Sequence, residues 1–169
     1  MAKAARLAVL AATLLLVSPM AWAFENEPTG FRGIAWGTPM DVVRAKTNTW
    51  FNRNVAPGID EYRSRSDLTM NGVPLTYNFY QFYRERFSTG IMEAESAYCA
   101  SMLETLIARF GEPDKKIART RFVWHGKITT IVYICSRAHD MCRVGLESAA
   151  LVAEQEKDLA ESARKHPDF

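Results

Sequence analysis

The sequence predicts an α+β domain, in which an antiparallel sheet of about five or six strands carries one core helix on a face. Three observations lead to this fold class. One segment combines a helix start, a helical apolar stripe and a helix stop, and apolar runs typical of strands lie on both sides of it. The third is Asn71-Gly72, a strong signal for a tight hairpin turn. A short N-terminal helix and a charged C-terminal helix complete the prediction.

The predicted core helix is Ser96 to Gly111. Its apolar residues recur at the spacing that places side chains on one face of an α-helix: Cys99, Leu103, Leu106 and Phe110, with Met102 and Ile107 widening the stripe. Gly111 stands where a helix favours a left-handed residue, and Pro113 cannot continue the helix. We therefore expect this helix to lie across a sheet formed by the flanking segments.

The first 23 residues have the three parts of a secretory signal peptide. Lys3 and Arg6 form a basic start, residues 7–17 form an apolar run, and Ala21-Trp22-Ala23 is a small-residue cleavage site. The apolar run is shorter than the roughly 20 residues that a membrane-spanning helix needs. The sequence thus predicts a periplasmic or secreted protein that begins at Phe24 and has no transmembrane segment after cleavage.

The charge balance argues against a nucleic-acid partner. The whole chain has 21 Lys and Arg against 19 Asp and Glu. Two of the bases belong to the predicted signal peptide, so the rest of the chain is neutral, whereas nucleic-acid binding needs a marked basic excess on one face. Length suits one domain, predicted over residues 24–147, followed by a C-terminal helix or tail over 148–169.

The N-terminal part of this domain is expected to begin with a loose polar leader, Phe24 to Thr29, followed by a short strand around Phe31 to Gly37. Thr38 is suited to cap a helix that starts at Pro39 and runs to about Lys46. Asp41 stands three residues after Thr38, where a carboxylate can complete a capping box.

The segment from Thr47 to Ile59 shows neither a helical nor a strand periodicity of apolar residues. Its Asn, Pro and Gly residues predict a surface loop. Glu61 to Met70 and Val73 to Tyr83 are predicted strands joined at Asn71-Gly72. Further predictions follow in chain order: a turn at 84–86, a strand at 87–93, a solvated segment at 114–116, strands at 120–124, 128–135 and 142–146, and a helix beyond Glu147 with a thin apolar face.

Aromatic residues are dense enough to suggest a ligand platform. The candidates are Trp36, near the end of the first predicted strand, and Tyr77, Tyr80 and Phe82 on the strand that ends at Tyr83. Exposed aromatic rings stack on sugars, bases or peptides. Aromatic residues are also favoured in antiparallel strands for packing alone, which needs no ligand.

Three cysteines in an exported chain predict at least one disulfide. Cys135 and Cys142 flank a short loop and suit a bridge across a hairpin, while Cys99 with Cys142 is the alternative. Cys135, His139 and Cys142 also offer three ligands for zinc or copper, although structural zinc sites usually have two paired arms. The favoured interpretation is a disulfide without a metal.

Catalytic motifs are missing from the sequence: it has no nucleophile elbow, no His-Glu-x-x-His and no phosphate loop. We therefore expect no cofactor and favour a non-enzymatic binding or envelope-associated domain, with an unidentified protein or small molecule as its ligand. The alternative is an enzyme or metal-binding protein that uses Cys135, His139 and Cys142. The sequence specifies no oligomeric state.

Three motifs resemble small secreted bacterial proteins of uncharacterised function. They are Phe31-x-Gly33-Ile34-x-Trp36-Gly37-Thr38, Leu103-x-x-Leu106-x-x-x-Phe110-Gly111-x-Pro113 and Phe122-x-Trp124-x-Gly126. The resemblance implies a periplasmic setting and an α+β domain. It assigns no catalytic residue.

Overall fold

A computed structural model describes residue 24 and residues 26–165 of the chain, so the predicted signal peptide lies outside the described residues. The described part is an α+β domain. Its helices are α1 (Met40–Thr47), α2 (Cys99–Phe110) and α3 (Ala149–Lys165). Its strands are β1 (Gly30–Phe31), β2 (Ile34–Ala35), β3 (Trp50–Ala56), β4 (Ile59–Ser64), β5 (Thr69–Met70), β6 (Val73–Pro74), β7 (Tyr77–Tyr83), β8 (Arg86–Glu95), β9 (Lys115–Ala118), β10 (Arg121–His125), β11 (Thr129–Ser136) and β12 (Met141–Ser148).

The main sheet is larger than predicted. Eight antiparallel strands follow the order β3-β4-β7-β8-β12-β11-β10-β9. The two strands at its edges were missed: β3 lies within the segment predicted as a surface loop, and β9 begins in the segment 114–116 predicted as solvated and continues to Ala118. Both are mostly exposed on both faces. Edge strands of this kind are held by backbone hydrogen bonds, so they leave no alternation of apolar residues in the sequence.

The tight turns predicted from the sequence are present, although one of them joins other strands than those predicted. Asn71 and Gly72 have φ angles of 48° and 83°, as the predicted turn requires, but they join β5 to β6, which pair outside the main sheet. The long hairpin β7–β8 turns at Arg84 and Glu85, where φ is also positive. The predicted turn near residues 84–86 is therefore confirmed.

Helix α2 confirms the predicted core helix. A 3-10 turn at Ser96–Tyr98 leads into it, and Gly111 follows it with a φ of 77°. Cys99, Met102, Leu106 and Phe110 are its buried residues. Met102 thus replaces Leu103 at the centre of the apolar face. Trp124 fixes the helix end by donating its indole N–H to the Gly111 carbonyl at 2.8 Å.

Two expectations for the N-terminal part were wrong. The leader is anchored, because Phe24 packs edge-on against Phe110 at 5.6 Å between ring centroids, and the Glu27 carboxylate accepts the backbone N–H groups of Ile128 and Thr129. The capping box is absent: Thr38 donates its hydroxyl to the Ala35 carbonyl, and α1 has no side-chain cap. The contacts of the leader join residues far apart in the chain, so they leave no local pattern in the sequence.

The two faces of the main sheet differ. One face, here called the covered face, packs against the β1–β2 hairpin, α1 and α2, and contains the core aromatic residues Tyr80, Phe82 and Phe87. Phe31 of β1 lies directly on Gly90 of β8, where a Cβ atom would come within 2.2 Å of the ring. The opposite face carries Tyr77, Phe79 and Tyr83, since side chains alternate along a strand. Helix α3 contacts this opposite face at the β7–β8 turn.

Candidate functional site

The four aromatic residues predicted as a ligand platform do not form one surface. Tyr80 and Phe82 are 3% and 1% exposed and belong to the core. Trp36 is half-buried, packs on Phe87 at 5.2 Å and donates its indole N–H to the Thr129 hydroxyl at 2.7 Å. Only Tyr77 lies on the opposite face. Three of the four residues therefore pack within the fold, and the strand face that carries Tyr80 and Phe82 is covered by the β1–β2 hairpin, α1 and α2.

The three cysteines converge on the covered face. Cys135 and Cys142 are direct partners in the β11–β12 ladder, which is the register that the predicted hairpin disulfide requires. Cys99, at the start of α2, belongs to the same core. All three are free thiols in this structure. The disulfide stays a prediction, and the register is compatible with the favoured pairing.

Neither thiol of the hairpin pair is activated. Burial raises the pKa of both the Cys135 and the Cys142 thiol, with the neighbouring Cys99 adding to the effect. Since the thiolate is the nucleophile and the metal ligand, a raised pKa disfavours both roles. His139 is exposed on the 3-10 turn Arg137–His139, and no group of three or more His, Cys, Asp or Glu side chains within the described residues is placed to hold a metal ion.

The described part of the chain contains a cavity of about 310 Å³. It lies between the β1–β2 hairpin, the Asn71 turn and α2, and it reaches Met92 of β8 and Leu146 of β12. Its volume is at the lower end of the range for small-ligand sites. Its walls are mixed: polar groups supply about half of the lining surface, and the apolar part comes from Phe31, Met70, Met92, Leu106, Phe110 and Leu146.

Two guanidinium groups line the same cavity. Arg32 stands in the β1–β2 turn with a φ of 51°, and Arg109 stands in the last turn of α2. Neither side chain forms an ion pair with any carboxylate among the residues that the structure describes. The cavity thus places apolar side chains beside two positive charges that have no carboxylate partner within the described residues.

Arg32 is held in place by hydrogen bonds. Its Nε donates to the Asn78 side-chain oxygen at 3.1 Å, and its terminal nitrogen donates to the Thr69 carbonyl at the same distance. Asn78 is fully buried and donates in turn to the Ser66 carbonyl at 2.7 Å. Two of the five N–H donors of Arg32 are used in this way, and the other donors have no partner among the described residues.

Tyr80 lies close enough to Arg32 for the two groups to interact electrostatically. Burial raises the pKa of the Tyr80 hydroxyl above its usual value of 10.0, and the Arg32 charge opposes this rise. The phenol is therefore neutral at physiological pH. Tyr80 therefore does not neutralise the positive charge of Arg32.

Sequence reasoning missed this cavity. Its polar residues come from three distant segments: Arg32, then Thr69 and Asn71, then Thr105 and Arg109. Of these segments, only the Asn71-Gly72 turn and α2 are recognisable in the sequence, and they were predicted as a turn and a core helix without a role in binding. Nothing in the sequence indicates that these segments meet.

The comparisons with known proteins add no family. No family model matches the chain, and neither the search of curated proteins nor the search of solved structures found a match. Among the described residues, no helix has the length and apolar character required to cross a membrane.

Proposed function

We propose that this chain is an exported, non-enzymatic binding domain whose cavity takes a small amphiphilic anion. The observation that carries this proposal is a cavity that sets apolar side chains beside Arg32 and Arg109, neither of which has a carboxylate partner among the described residues. A guanidinium presents N–H groups in a fork that matches a carboxylate or phosphate. The ligand class is thus an apolar body with one anionic head.

The apolar side chains of the cavity wall would supply affinity, and the arginines would supply orientation. Phe31, Met92, Leu106 and Phe110 are all buried in the core and offer a fixed apolar surface. Arg32 is preorganised by Asn78 and Thr69, so binding an anion costs little further side-chain entropy there. Arg109 is exposed and can adjust to the head group.

Export is part of the same proposal. It rests on the three-part pattern of the first 23 residues and on the resemblance to small secreted bacterial proteins. A periplasmic or secreted binding domain needs no cofactor. Mass spectrometry of the protein recovered from the periplasm tests export, and a chain that retains Met1 to Ala23 in the cytosol contradicts it.

Calorimetric titration with octanoate tests the ligand class, with octan-1-ol as the uncharged counterpart. We expect octanoate to bind more tightly than the alcohol. Arg109→Gln should weaken octanoate binding roughly tenfold, as expected for the loss of a charged hydrogen bond, and leave octanol binding unchanged. Arg119→Gln removes the same charge at an exposed position away from the cavity and is the matched control.

A second variant tests the location. Thr105 lies on the cavity wall, half-buried on α2, so Thr105→Phe narrows the cavity without removing a charge. It should weaken both octanoate and octanol. Equal octanoate affinity in the wild type, Arg109→Gln and Thr105→Phe would show that the cavity is not the site.

A further inference from the structure

The sheet face opposite the core carries a second group of arginines. Two of them are neutralised by glutamates: Arg53 Nε lies 3.0 Å from the Glu61 carboxylate, and Arg143 lies 2.6 Å from that of Glu93. Both glutamates are buried, at 2% and 7% exposure. These pairs show how the fold balances positive charge on this face.

Arg63 and Arg65 lack such partners. Neither forms an ion pair with a carboxylate in the described part of the chain. Instead, both pack on the Tyr77 ring, with Cζ to centroid distances of 5.5 Å and 5.1 Å. Arg63 also lies over Trp50 at 5.4 Å, and Arg65 donates to the Tyr77 hydroxyl at 2.7 Å. Two like charges are thus held against one aromatic ring.

The contacts of Arg63 leave a polar atom unsatisfied. Its Nε is buried and has no hydrogen-bond partner in the part of the chain that the structure describes. The ring faces of Trp50 and Tyr77 attract the guanidinium plane, but they do not accept its in-plane N–H groups as an oxygen does. An anion that bridges the two guanidiniums would neutralise their mutual repulsion and accept their hydrogen bonds.

We propose that Arg63 and Arg65, framed by Trp50 and Tyr77, form a binding site for a tetrahedral oxyanion of the phosphate or sulfate class. The two positive charges match a dianion, and each guanidinium can offer a pair of N–H donors. Trp50 is 39% exposed, so the site is open to solvent. It lies on the face opposite the cavity, so failure of either site leaves the other unaffected.

Titration with inorganic phosphate at constant ionic strength tests this site, followed through the NMR signals of the Trp50 indole N–H. Saturable shifts are expected in the wild type. Arg65→Gln, at an exposed position, should weaken phosphate binding roughly tenfold or more. Arg63→Gln should do the same, and Arg119→Gln should change nothing. If Arg63→Gln fails to fold, Arg65→Gln decides alone.

A second arm distinguishes free phosphate from a lipid headgroup. Vesicles of phosphatidylcholine with and without phosphatidic acid are incubated with the same variants and sedimented. Binding to phosphatidic acid that is lost in Arg65→Gln and kept in Arg119→Gln supports a headgroup as the source of the oxyanion. The proposal is overturned if neither phosphate nor these vesicles bind, or if Arg65→Gln and Arg119→Gln reduce binding equally.

Discussion

Helices α2 and α3 both follow strands of the same sheet, but they are attached to it by different forces. In α2, four residues are buried: Cys99, Met102, Leu106 and Phe110. In the longer α3, Leu151 is the one buried residue. Burial of these apolar side chains stabilises the docking of α2 without charges that salt could screen or pH could titrate. We therefore expect α2 to stay docked when salt concentration or pH changes.

The attachments of α3 are mainly polar. Glu154 accepts from Arg86 at 2.6 Å, and Asp158 accepts from Arg84 at 2.8 Å and from the Tyr83 hydroxyl. The arginines and acids of these pairs are 30% to 59% exposed, so solvent and salt screen them. The same sheet thus holds α2 as part of its core and holds α3 through contacts that depend on salt concentration and pH.

The largest expected effect is in α2. Leu106 is 2% exposed, and Leu106→Ala should lower the free energy of unfolding by about 2–5 kcal/mol, because it removes buried surface and leaves a cavity. Leu159→Ala, at a position of α3 that is 45% exposed, should change it by less than about 0.5 kcal/mol. Urea unfolding measures both, and similar losses would remove the distinction between the helices.

A smaller effect is expected from Arg84→Gln, which removes two ion pairs to α3. Exposed pairs of this kind contribute about 1 kcal/mol or less, so amide hydrogen exchange should accelerate in α3 and stay unchanged in α2. Added salt should accelerate exchange of α3 in the wild type and have less effect in Arg84→Gln. Equal acceleration in both helices would mean that α3 is not attached separately.

The smallest effect concerns alkaline pH. The hydrogen bond to Asp158 raises the pKa of Tyr83 above its usual value of 10.0, with a further rise from burial. A raised pKa in the folded state means that this contact contributes fully below pH 10.0 and is lost as the pH rises through the folded value. The protection of the α3 amides relative to their intrinsic, base-catalysed exchange rate should therefore fall above pH 10, and Tyr83→Phe should remove that fall. A wild-type protection profile that is as flat as that of Tyr83→Phe contradicts this assignment.

Much of the fold could be predicted from local patterns. The spacing from Cys99 to Phe110 and the stop at Gly111 and Pro113 fixed α2, because helical periodicity and a positive φ are properties of a short segment. Strands β3 and β9 could not be found in this way. As edge strands they bury neither face, and their residues resemble those of loops.

The candidate sites were less predictable than the fold. Arg32 and Arg109 are far apart in the sequence, and only the packing of the β1–β2 hairpin beside α2 brings both to one cavity. Arg63 and Tyr77 meet across the β4–β7 pairing. For the aromatic residues, the sequence alone could not separate burial from binding, and the structure buries Tyr80 and Phe82 in the core.

The sequence by itself determined where α2 runs and where the chain turns, since these depend on neighbouring residues and on allowed φ angles. It also determined that β7 has two faces, because side chains alternate along a strand. Only the tertiary structure decided which face is covered. Tyr80 and Phe82 are buried and Tyr77 is not, because the β1–β2 hairpin, α1 and α2 pack on one side of the sheet, and those segments are distant from β7 in the chain.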